Sequence, residues 1–139
     1  MLKGRSKYGA VRVWGCSGCG AQVDRPDGTG KKARVCGACG SVAIRSFASK
    51  MEFRRLIELK QRERAGEVSS VVVQPAFSLV VNGRNIGTWR ADFSYIEAGG
   101  ASRVEDVKGM ETEACKLRRE LAEALHGIKV DVIRRGKKR

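Results

Sequence analysis

The chain has 139 residues, which allows one modest domain, or a small core with an appendage too short to fold by apolar burial alone. Its formal net charge of +13 attracts polyanions and makes nucleic acid the default partner. No apolar stretch is long enough to span a bilayer, and residues 1–20 lack the apolar core of a signal peptide, so we expect a cytoplasmic protein with reduced thiols.

Four of the five cysteines form two Cys-x-x-Cys pairs, Cys16 with Cys19 and Cys36 with Cys39. A glycine follows each pair, and the separation of the pairs suits tetrahedral zinc held between two hairpins. A reducing compartment disfavours two disulfides, and a redox-active pair would not need a matching copy. Since residues 15–40 contain few large apolar side chains, zinc should supply most of their folding free energy, on the order of 10 kcal/mol. We predict a zinc ribbon over residues 1–46.

A turn-rich arm over residues 24–34 joins the two cysteine pairs. Its cations Lys31, Lys32 and Arg34 could lie along phosphates, or the arm could be a solvated loop that only closes the ribbon. Cysteine spacing does not decide whether a ribbon binds DNA, holds a protein partner or serves as a brace.

A second unit is predicted over residues 47–133. Helical periodicity covers residues 49–65, where Ser49 and Glu52 form a capping box and Gly66 suits the position after the helix. Two β-rich segments follow, 71–73 and 76–81, which Pro75 separates. An Asn-Gly turn then predicts a returning strand over residues 86–96.

On that returning strand, alternation predicts a core face of Trp89, Ala91, Phe93 and Tyr95, with Asp92 on the other face. The turn at residues 98–101 makes paired residue numbers sum to 198–200, so Asp92 should lie opposite residues 106–108. Asp106 and Lys108 then share a face, and Glu105 points away as a structural or surface acid. Facing carboxylates repel unless a cation binds between them, and Mg²⁺ is the best candidate.

The chain is predicted to end in a helix, a strand and a basic tail. Thr112 can cap the helix and Gly127 can end it. One side of the helix should be apolar, through Ala114, Leu117, Leu121, Ala124 and Leu125. Lys116 and Arg119 could approach a phosphate, whereas Arg118 suits a solvated face. His126 can meet carbonyls at the helix end. It is the only histidine of the chain, and this count excludes a histidine-based nuclease. The tail is residues 134–139.

Several short runs together resemble the PD-(D/E)XK nuclease superfamily, and in particular a family of small, mostly phage-encoded proteins that includes candidate Holliday-junction resolvases. The resemblance covers residues 47–133. The runs that carry it are Met51-Glu52-Phe53-Arg54-Arg55-Leu56, Val73-Gln74-Pro75, Ala91-Asp92-Phe93 and Glu105-Asp106-Val107-Lys108-Gly109.

The resemblance implies an α/β fold with a mixed sheet, a restriction-endonuclease-like αβββαβ core to which the four-cysteine zinc ribbon is added. It implies that Asp92 and Asp106 bind Mg²⁺ or Mn²⁺ and that Lys108 is the motif lysine. Val107 would offer its backbone carbonyl, and Glu52 would be the acid often found on the first helix. Glu52 can equally be only a capping residue. The proline of the superfamily name is Ala91 here.

These expectations lead to a metal-dependent endonuclease that acts on DNA. The most specific form of this prediction is a structure-specific enzyme, either a Holliday-junction resolvase or a debranching enzyme. Two coordinated cuts predict a homodimer. A phage-encoded protein would act in the cytoplasm of the host cell. One alternative is a non-catalytic adaptor, a ribbon with a degenerate nuclease fold that binds DNA or a polymerase. The other is a nicking or RNA-cleaving nuclease of the same fold.

Overall fold

The computed structural model describes residues 12–23, 35–108 and 111–134. The chain forms two compact units, Met1–Arg62 and Glu63–Arg139. Both units combine strands with helical residues, so the coarse prediction of a mixed α/β protein is confirmed. Neither helix in the described ranges is long and apolar enough to cross a membrane.

The first unit is a small antiparallel sheet with a helix. Its sheet has the order β2-β1-β3, and β1 pairs with both neighbours. The helix α1 follows β3 after a two-residue connection. The bounds are β1 Val13–Cys16, β2 Gln22–Val23, β3 Ile44–Phe47 and α1 Lys50–Arg64.

Helix α1 begins and ends where its sequence signals predict. Ser49 Oγ accepts a hydrogen bond from the Glu52 N–H at 3.2 Å, and Glu52 Oε2 accepts one from the Ala48 N–H at 3.1 Å. This is the reciprocal arrangement of a capping box, shifted by one residue on the glutamate side. Gly66 follows the helix with φ of 76°, a left-handed conformation that favours glycine.

Helix α1 packs on strands β1 and β3 of the zinc ribbon. The rings of Phe47 and Phe53 lie with centroids 5.5 Å apart, and Leu56 and Leu59 are fully buried. The backbone of Gly15 in β1 lies directly against the Phe53 ring. These contacts place the boundary between the two compact units near the end of α1, whereas the sequence interpretation put it at residues 46–47.

The approach of Gly15 to Phe53 gives a testable packing prediction. A Cβ added at Gly15 would overlap Phe53 Cε2 and lie 3.0 Å from Phe53 Cζ, so the ring must move out of its buried position. We expect Gly15→Ala to lower the free energy of unfolding of the first unit by about 2 kcal/mol, measured by urea titration of the zinc-loaded protein. Gly37→Ala is the control because no atom of the described residues lies within 4 Å of its added Cβ. Equal stability of the two variants would contradict the packing.

The second unit contains two sheets and a crossover helix. The four-stranded sheet has the order β4-β7-β8-β9, and β5 pairs with β6 in a separate two-stranded ribbon. Strands β8 and β9 are parallel and joined through α2, while the other pairs are antiparallel. The bounds are β4 Val68–Val73, β5 Ala76–Val81, β6 Arg84–Arg90, β7 Phe93–Glu97, β8 Ser102–Lys108, α2 Glu113–His126 and β9 Val130–Arg134.

The single strand predicted over residues 86–96 is wrong, because the chain bends at Ala91 and Asp92 and continues into another sheet. Its partner bends at the same level, at Gln74 and Pro75. Two backbone hydrogen bonds join the bends, Gln74 N–H to Asp92 O at 2.8 Å and Ala91 N–H to Pro75 O at 3.1 Å. Gln74 has φ of 54° and proline has no N–H for a ladder, so regular pairing stops there. When β4 with β5 and β6 with β7 are each counted as one bent strand, the order of elements from α1 onward is αβββαβ.

The core of the second unit lies between the two-stranded ribbon, β8, β9 and α2. Trp89, Ala91 and Val104 belong to it, but Phe93 and Tyr95 are buried outside this cluster. The bend separates these residues, so the predicted face is buried as expected but does not form one core. The other members of the cluster are Leu79, Ala122 and Val130, with Phe77, Leu121 and Ile128 packed against them.

Helix α2 has its predicted ends but a different inward face. Thr112 Oγ1 accepts from the Cys115 N–H at 3.2 Å, and Gly127 follows in a left-handed conformation with φ of 61°. Of the predicted apolar side, Leu121 packs against the core, but Leu117 and Leu125 are 67% and 40% exposed and Ala114 and Ala124 are exposed as well. Beside Leu121, the inward side presents Ala122 and the paired charges described below.

At the end of α2, His126 meets a carbonyl as predicted. Its Nε2 lies 2.7 Å from Ser78 O, and because a carbonyl only accepts, Nε2–H is the donor. The imidazole also lies edge-on to Phe77, with centroids 5.4 Å apart. These contacts attach the C-terminal end of α2 to β5 and give His126 a structural role.

Candidate functional site

The two cysteine pairs form matching turns that bring four sulfur atoms together. The Gly20 N–H donates to Cys16 O and the Gly40 N–H donates to Cys36 O, both at 2.8 Å. Both glycines have positive φ, 80° and 73°, which lets the backbone turn back toward the first cysteine of each pair. All four Sγ atoms lie within 4.8 Å of one another.

The spacing of the sulfurs fits a tetrahedral metal. Cys16 Sγ lies 3.7 Å from Cys39 Sγ, and Cys19 Sγ lies 3.6 Å from Cys36 Sγ. Four ligands about 2.3 Å from a zinc ion would be separated by roughly 3.8 Å, whereas a disulfide needs about 2.05 Å. The cluster can therefore hold one structural metal ion such as zinc, as the sequence predicts.

The electrostatics of the cysteine cluster couple metal binding to the loss of protons. The backbone N–H groups of Cys39 and Ala38 lower the pKa of Cys36 to about 7. The Ser41 N–H acts to lower the pKa of Cys39, but the Cys19 thiol, burial and the other cluster thiols outweigh it and raise that pKa to about 12. Four thiols this close cannot all ionise unless a positive ion compensates them, so metal binding must release protons.

A second candidate site lies on the hairpin of β7 and β8, whose register agrees with the prediction. Phe93 pairs with Glu105 and Ile96 pairs with Ser102, so paired numbers sum to 198. At the bend before β7, the Asp92 N–H still donates to Glu105 O at 3.0 Å. This register brings Asp92 beside the segment from Asp106 to Lys108, as alternation and turn position predict.

The carboxylate of Asp92 is held by the neighbouring strand. Its Oδ2 accepts a hydrogen bond from the Val107 N–H at 2.6 Å. That N–H belongs to the peptide that links Asp106 to Val107, so the two acids are one peptide group apart across the hairpin. Asp92 thus has a fixed carboxylate orientation next to Asp106.

Asp106 is the most unusual polar residue of this unit. It is only 1% exposed, and neither of its carboxylate oxygens has a hydrogen-bond partner among the described residues. The nearest compensating charge is Lys108 Nζ, 3.4 Å from Asp106 Oδ2. A buried carboxylate without donors is costly, and one ammonium at this distance leaves most of its acceptor capacity unused. The site fits an additional cation with a preference for oxygen ligands.

Two other acids have structural partners. Glu105 is 2% exposed and its Oε1 accepts from the Tyr95 hydroxyl at 2.6 Å, so it is a buried structural acid, one of the two roles expected for it. Glu52, 4% exposed, caps the start of α1 through the Ala48 N–H. Its capping role is therefore present, and its metal role remains a prediction.

Sequence reasoning missed an acid close to Lys108. Glu111 is a nearly buried side chain that binds Arg119 of α2 through Oε1 and Arg134 of β9 through Oε2, each at 3.1 Å. The hydrogen bond from Arg119 lowers the pKa of Glu111 against the opposing effect of burial, and the charges of Arg119, Arg134 and Lys108 lower it further. Only its position three residues after Lys108 could have drawn attention to it.

The same network changes the interpretation of Arg119. Its side chain is 13% exposed, and besides Glu111 it binds Glu123 Oε1 at 2.8 Å. We therefore assign Arg119 to a structural network that joins the segment before α2, the helix itself and the end of β9, rather than to phosphate binding. Lys116 is exposed and stays a candidate for phosphate contact. Lys31, Lys32, Arg34 and the tail beyond Arg134 lie outside the described residues.

This network predicts a stability change with a defined pH dependence. Glu111→Gln leaves two arginines without their shared carboxylate, and we expect the free energy of unfolding at pH 7 to fall by about 2–3 kcal/mol. Because the folded pKa of Glu111 is lowered, its stabilisation is complete above the unfolded value of about 4.3 and is lost as pH falls through the folded value. Urea titrations at pH 7 and below about pH 4 should show the difference between the proteins shrinking on acidification.

The control for that measurement is Glu113→Gln, an exposed glutamate in the first turn of α2, two residues after Glu111. Its loss should cost well under about 1 kcal/mol, through the helix dipole alone, with a correspondingly small pH effect. If Glu111→Gln behaves like Glu113→Gln, the network contributes nothing to stability.

Comparisons with known proteins give a family but no described activity. No curated protein and no solved structure matches this chain. A model of one protein family matches residues 41–138, more than half of the chain. The match begins after the last ligand of the cysteine cluster and includes Asp92, Asp106, Lys108 and Glu111. The chain therefore belongs to the family described as "Protein of unknown function (DUF1064)".

Proposed function

We propose that this protein is a Mg²⁺-dependent endonuclease that hydrolyses phosphodiesters of DNA. The observation that carries the proposal is Asp106, a buried carboxylate whose oxygens lack hydrogen-bond donors within the described part of the chain, beside Lys108 and one peptide group from Asp92. A structural aspartate would be expected to have donors for its oxygens, whereas a metal ligand needs them vacant for the ion.

Asp92 and Asp106 are the residues that would hold the ion, together with the Val107 carbonyl. The Val107 N–H fixes Asp92, and the central position of β8 fixes Asp106, so both ligands are preorganised by backbone pairing. When bound, Mg²⁺ supplies charge neutralisation at the phosphate and makes a coordinated water more acidic.

Lys108 is placed to act on the attacking water or on the developing charge. Its side chain is 28% exposed and its Nζ is 3.4 Å from Asp106, so the ammonium lies next to the metal ligands and still reaches solvent. It can orient or deprotonate the water, or stabilise negative charge on the phosphate oxygens. Glu111 contributes a negative charge close enough to interact with Lys108.

DNA is supported as the substrate by charge and by element order. The net charge of +13 favours a polyanion, and the αβββαβ order with Asp and Asp-x-Lys on adjacent strands is what the PD-(D/E)XK resemblance implies. In this proposal the zinc ribbon docks DNA or a partner, and a homodimer with two sites makes paired cuts in a branched substrate.

Cleavage assays with defined substrates test the proposal. The zinc-loaded protein is incubated with end-labelled four-way junction, flap, duplex, single-stranded DNA and RNA in Mg²⁺. Cutting of a branched DNA in preference to the linear forms is the expected result. Normal DNA binding without cleavage of any substrate would contradict the nuclease and favour the adaptor, and selective cutting of RNA or of one strand would favour the other alternative.

A further inference from the structure

The ribbon of β5 and β6 has one packed face and one open face. Phe77 and Leu79 of β5 and Trp89 of β6 face α2 and the core. Near the bend the open face presents small or polar residues in cross-strand pairs, Ala76 with Arg90 and Ser78 with Thr88, all of them exposed. Such a surface lets a flat or grooved partner approach the backbone closely.

The charge of this ribbon has one sign. Residues 68–91 contain no aspartate or glutamate, although the chain as a whole contains 15. Arg84 lies at the turn end of β6 and Arg90 at its other end, two residues before Asp92. Both are exposed, and within the described parts of the chain neither has an acidic partner. Arg90 pairs with Ala76 on the open face, and Arg84 pairs with Val81 on the side of Phe77 and Leu79, so the ribbon attracts anions at both of its ends.

A β-bulge near the turn directs an apolar side chain into solvent. Leu79 pairs with Gly87 but Val80 pairs with Asn85, so Ile86 is the extra residue. Gly87 has φ of 148° and its N–H donates to Asn85 Oδ1 at 3.0 Å, which fixes the bulge. Ile86 is 54% exposed, and Val80 beside it is 43% exposed. An apolar side chain held outward between an asparagine and an arginine-bearing turn is well suited to contact nucleic-acid bases.

We propose that the β5–β6 ribbon is a DNA-binding arm in which Arg84 and Arg90 contact backbone phosphates and Ile86 packs against a base exposed at a branch point. This proposal rests on the proposed nuclease function and names the part of the substrate that its site would select. Seven residues of β6 span about 23 Å, comparable to about six or seven base pairs, and a two-stranded ribbon fits a DNA groove. The partner that binds this arm is DNA rather than protein, because the arm carries only positive charge.

The branch-point contact is tested with Ile86→Ser. A four-way junction carries 2-aminopurine at the branch, a base whose fluorescence rises when it is unstacked, and binding is measured by anisotropy without Mg²⁺. Wild-type protein should increase the fluorescence, and Ile86→Ser should abolish the increase and weaken junction affinity about tenfold, with little change for linear duplex. The matched control is Ile96→Ser, an exposed isoleucine of β7 outside the ribbon, which should behave like wild type.

The phosphate contacts are tested by salt dependence. Arg84→Ala should reduce the slope of log affinity against log salt concentration by about one, for junction and duplex alike. Arg118→Ala, an exposed arginine of α2, should leave the slope unchanged.

The outcomes separate the arm from the nuclease. If the protein binds and cuts junctions but Ile86→Ser and Arg84→Ala match their controls, the arm is refuted and the nuclease stands. If the variants lose binding as expected but no DNA is cut, the arm is supported as a binding device and the nuclease is refuted. If wild-type protein binds no DNA, both are refuted.

Discussion

Removing zinc is expected to unfold the zinc ribbon of the first unit while the core of the second unit stays intact. The ribbon strands have two to four residues each, and two of the buried side chains in this region are the ligands Cys16 and Cys36. Strands this short cannot hold together by pairing alone. Metal binding should therefore contribute on the order of 10 kcal/mol to the folding of this part of the chain.

The two tryptophans allow this to be measured unit by unit. Trp14 lies in β1 of the first unit, and Trp89 lies in the core of the second. On addition of a strong chelator, the Trp14 emission of wild-type protein should shift to the red. The Trp14→Phe variant, which reports on Trp89 alone, should keep its blue emission. A simultaneous shift of both signals would mean that the units do not unfold independently.

Cysteine variants provide the second arm of the zinc experiment. Metal analysis should find about one zinc ion per chain in wild-type protein, since four thiolates complete one tetrahedral site. Cys36→Ser should lower this content and reproduce the effect of the chelator. Cys115→Ser is the control, because Cys115 lies on α2 outside the cluster. Unchanged zinc content and folding in Cys36→Ser would contradict the metal site.

The features that sequence reasoning predicted correctly are local ones. The ligand cysteines lie three residues apart within each pair, and the turns are set by the glycines that follow. The register of β7 and β8 follows from one short turn at residues 98–101, so counting outward from it is enough to bring Asp92 beside Asp106. Capping residues such as Ser49 and Thr112 act within four positions along the chain.

The features that sequence reasoning missed depend on residues that are distant from each other in the chain. The break at Asp92 depends on Gln74 and Pro75, whose positions in a neighbouring strand no periodicity reveals. The orientation of α2 depends on Arg119, which faces inward because Glu111 and Glu123 bind it there. Apolar spacing alone therefore assigned Leu121 to the core correctly but also assigned Leu117 and Leu125, which are exposed.

Asp106→Asn is expected to abolish cleavage and to stabilise the metal-free protein. Loss of a metal ligand should lower the rate of DNA cleavage roughly 10³-fold or more, with junction affinity nearly unchanged. In the absence of Mg²⁺ the same substitution replaces a buried charge that has no hydrogen-bond donors among the described residues by a neutral amide of the same shape. We expect the free energy of unfolding of the second unit to rise by about 1–2 kcal/mol.

Metal titration then separates a ligand from a structural aspartate without any activity assay. A ligand that binds only the folded state stabilises it by about 2.7 kcal/mol at roughly a hundred times its dissociation constant. Mg²⁺ or Mn²⁺ should therefore raise the Tm of wild-type protein, measured with the zinc site saturated, and leave that of Asp106→Asn unchanged. Asp131→Asn is the control, a half-buried aspartate of β9 paired with Arg103, and it should respond to metal like wild type.

The opposite pattern would identify a structural role for Asp106. If Asp106→Asn lowers stability without metal, the interaction with Lys108 at 3.4 Å is worth more than the cost of burying the carboxylate. If, in addition, the Tm of wild-type protein does not respond to Mg²⁺ or Mn²⁺, no ion occupies the space beside Asp92 and Asp106. The nuclease proposal would then lose the one observation that distinguishes it from a DNA-binding adaptor of the same fold.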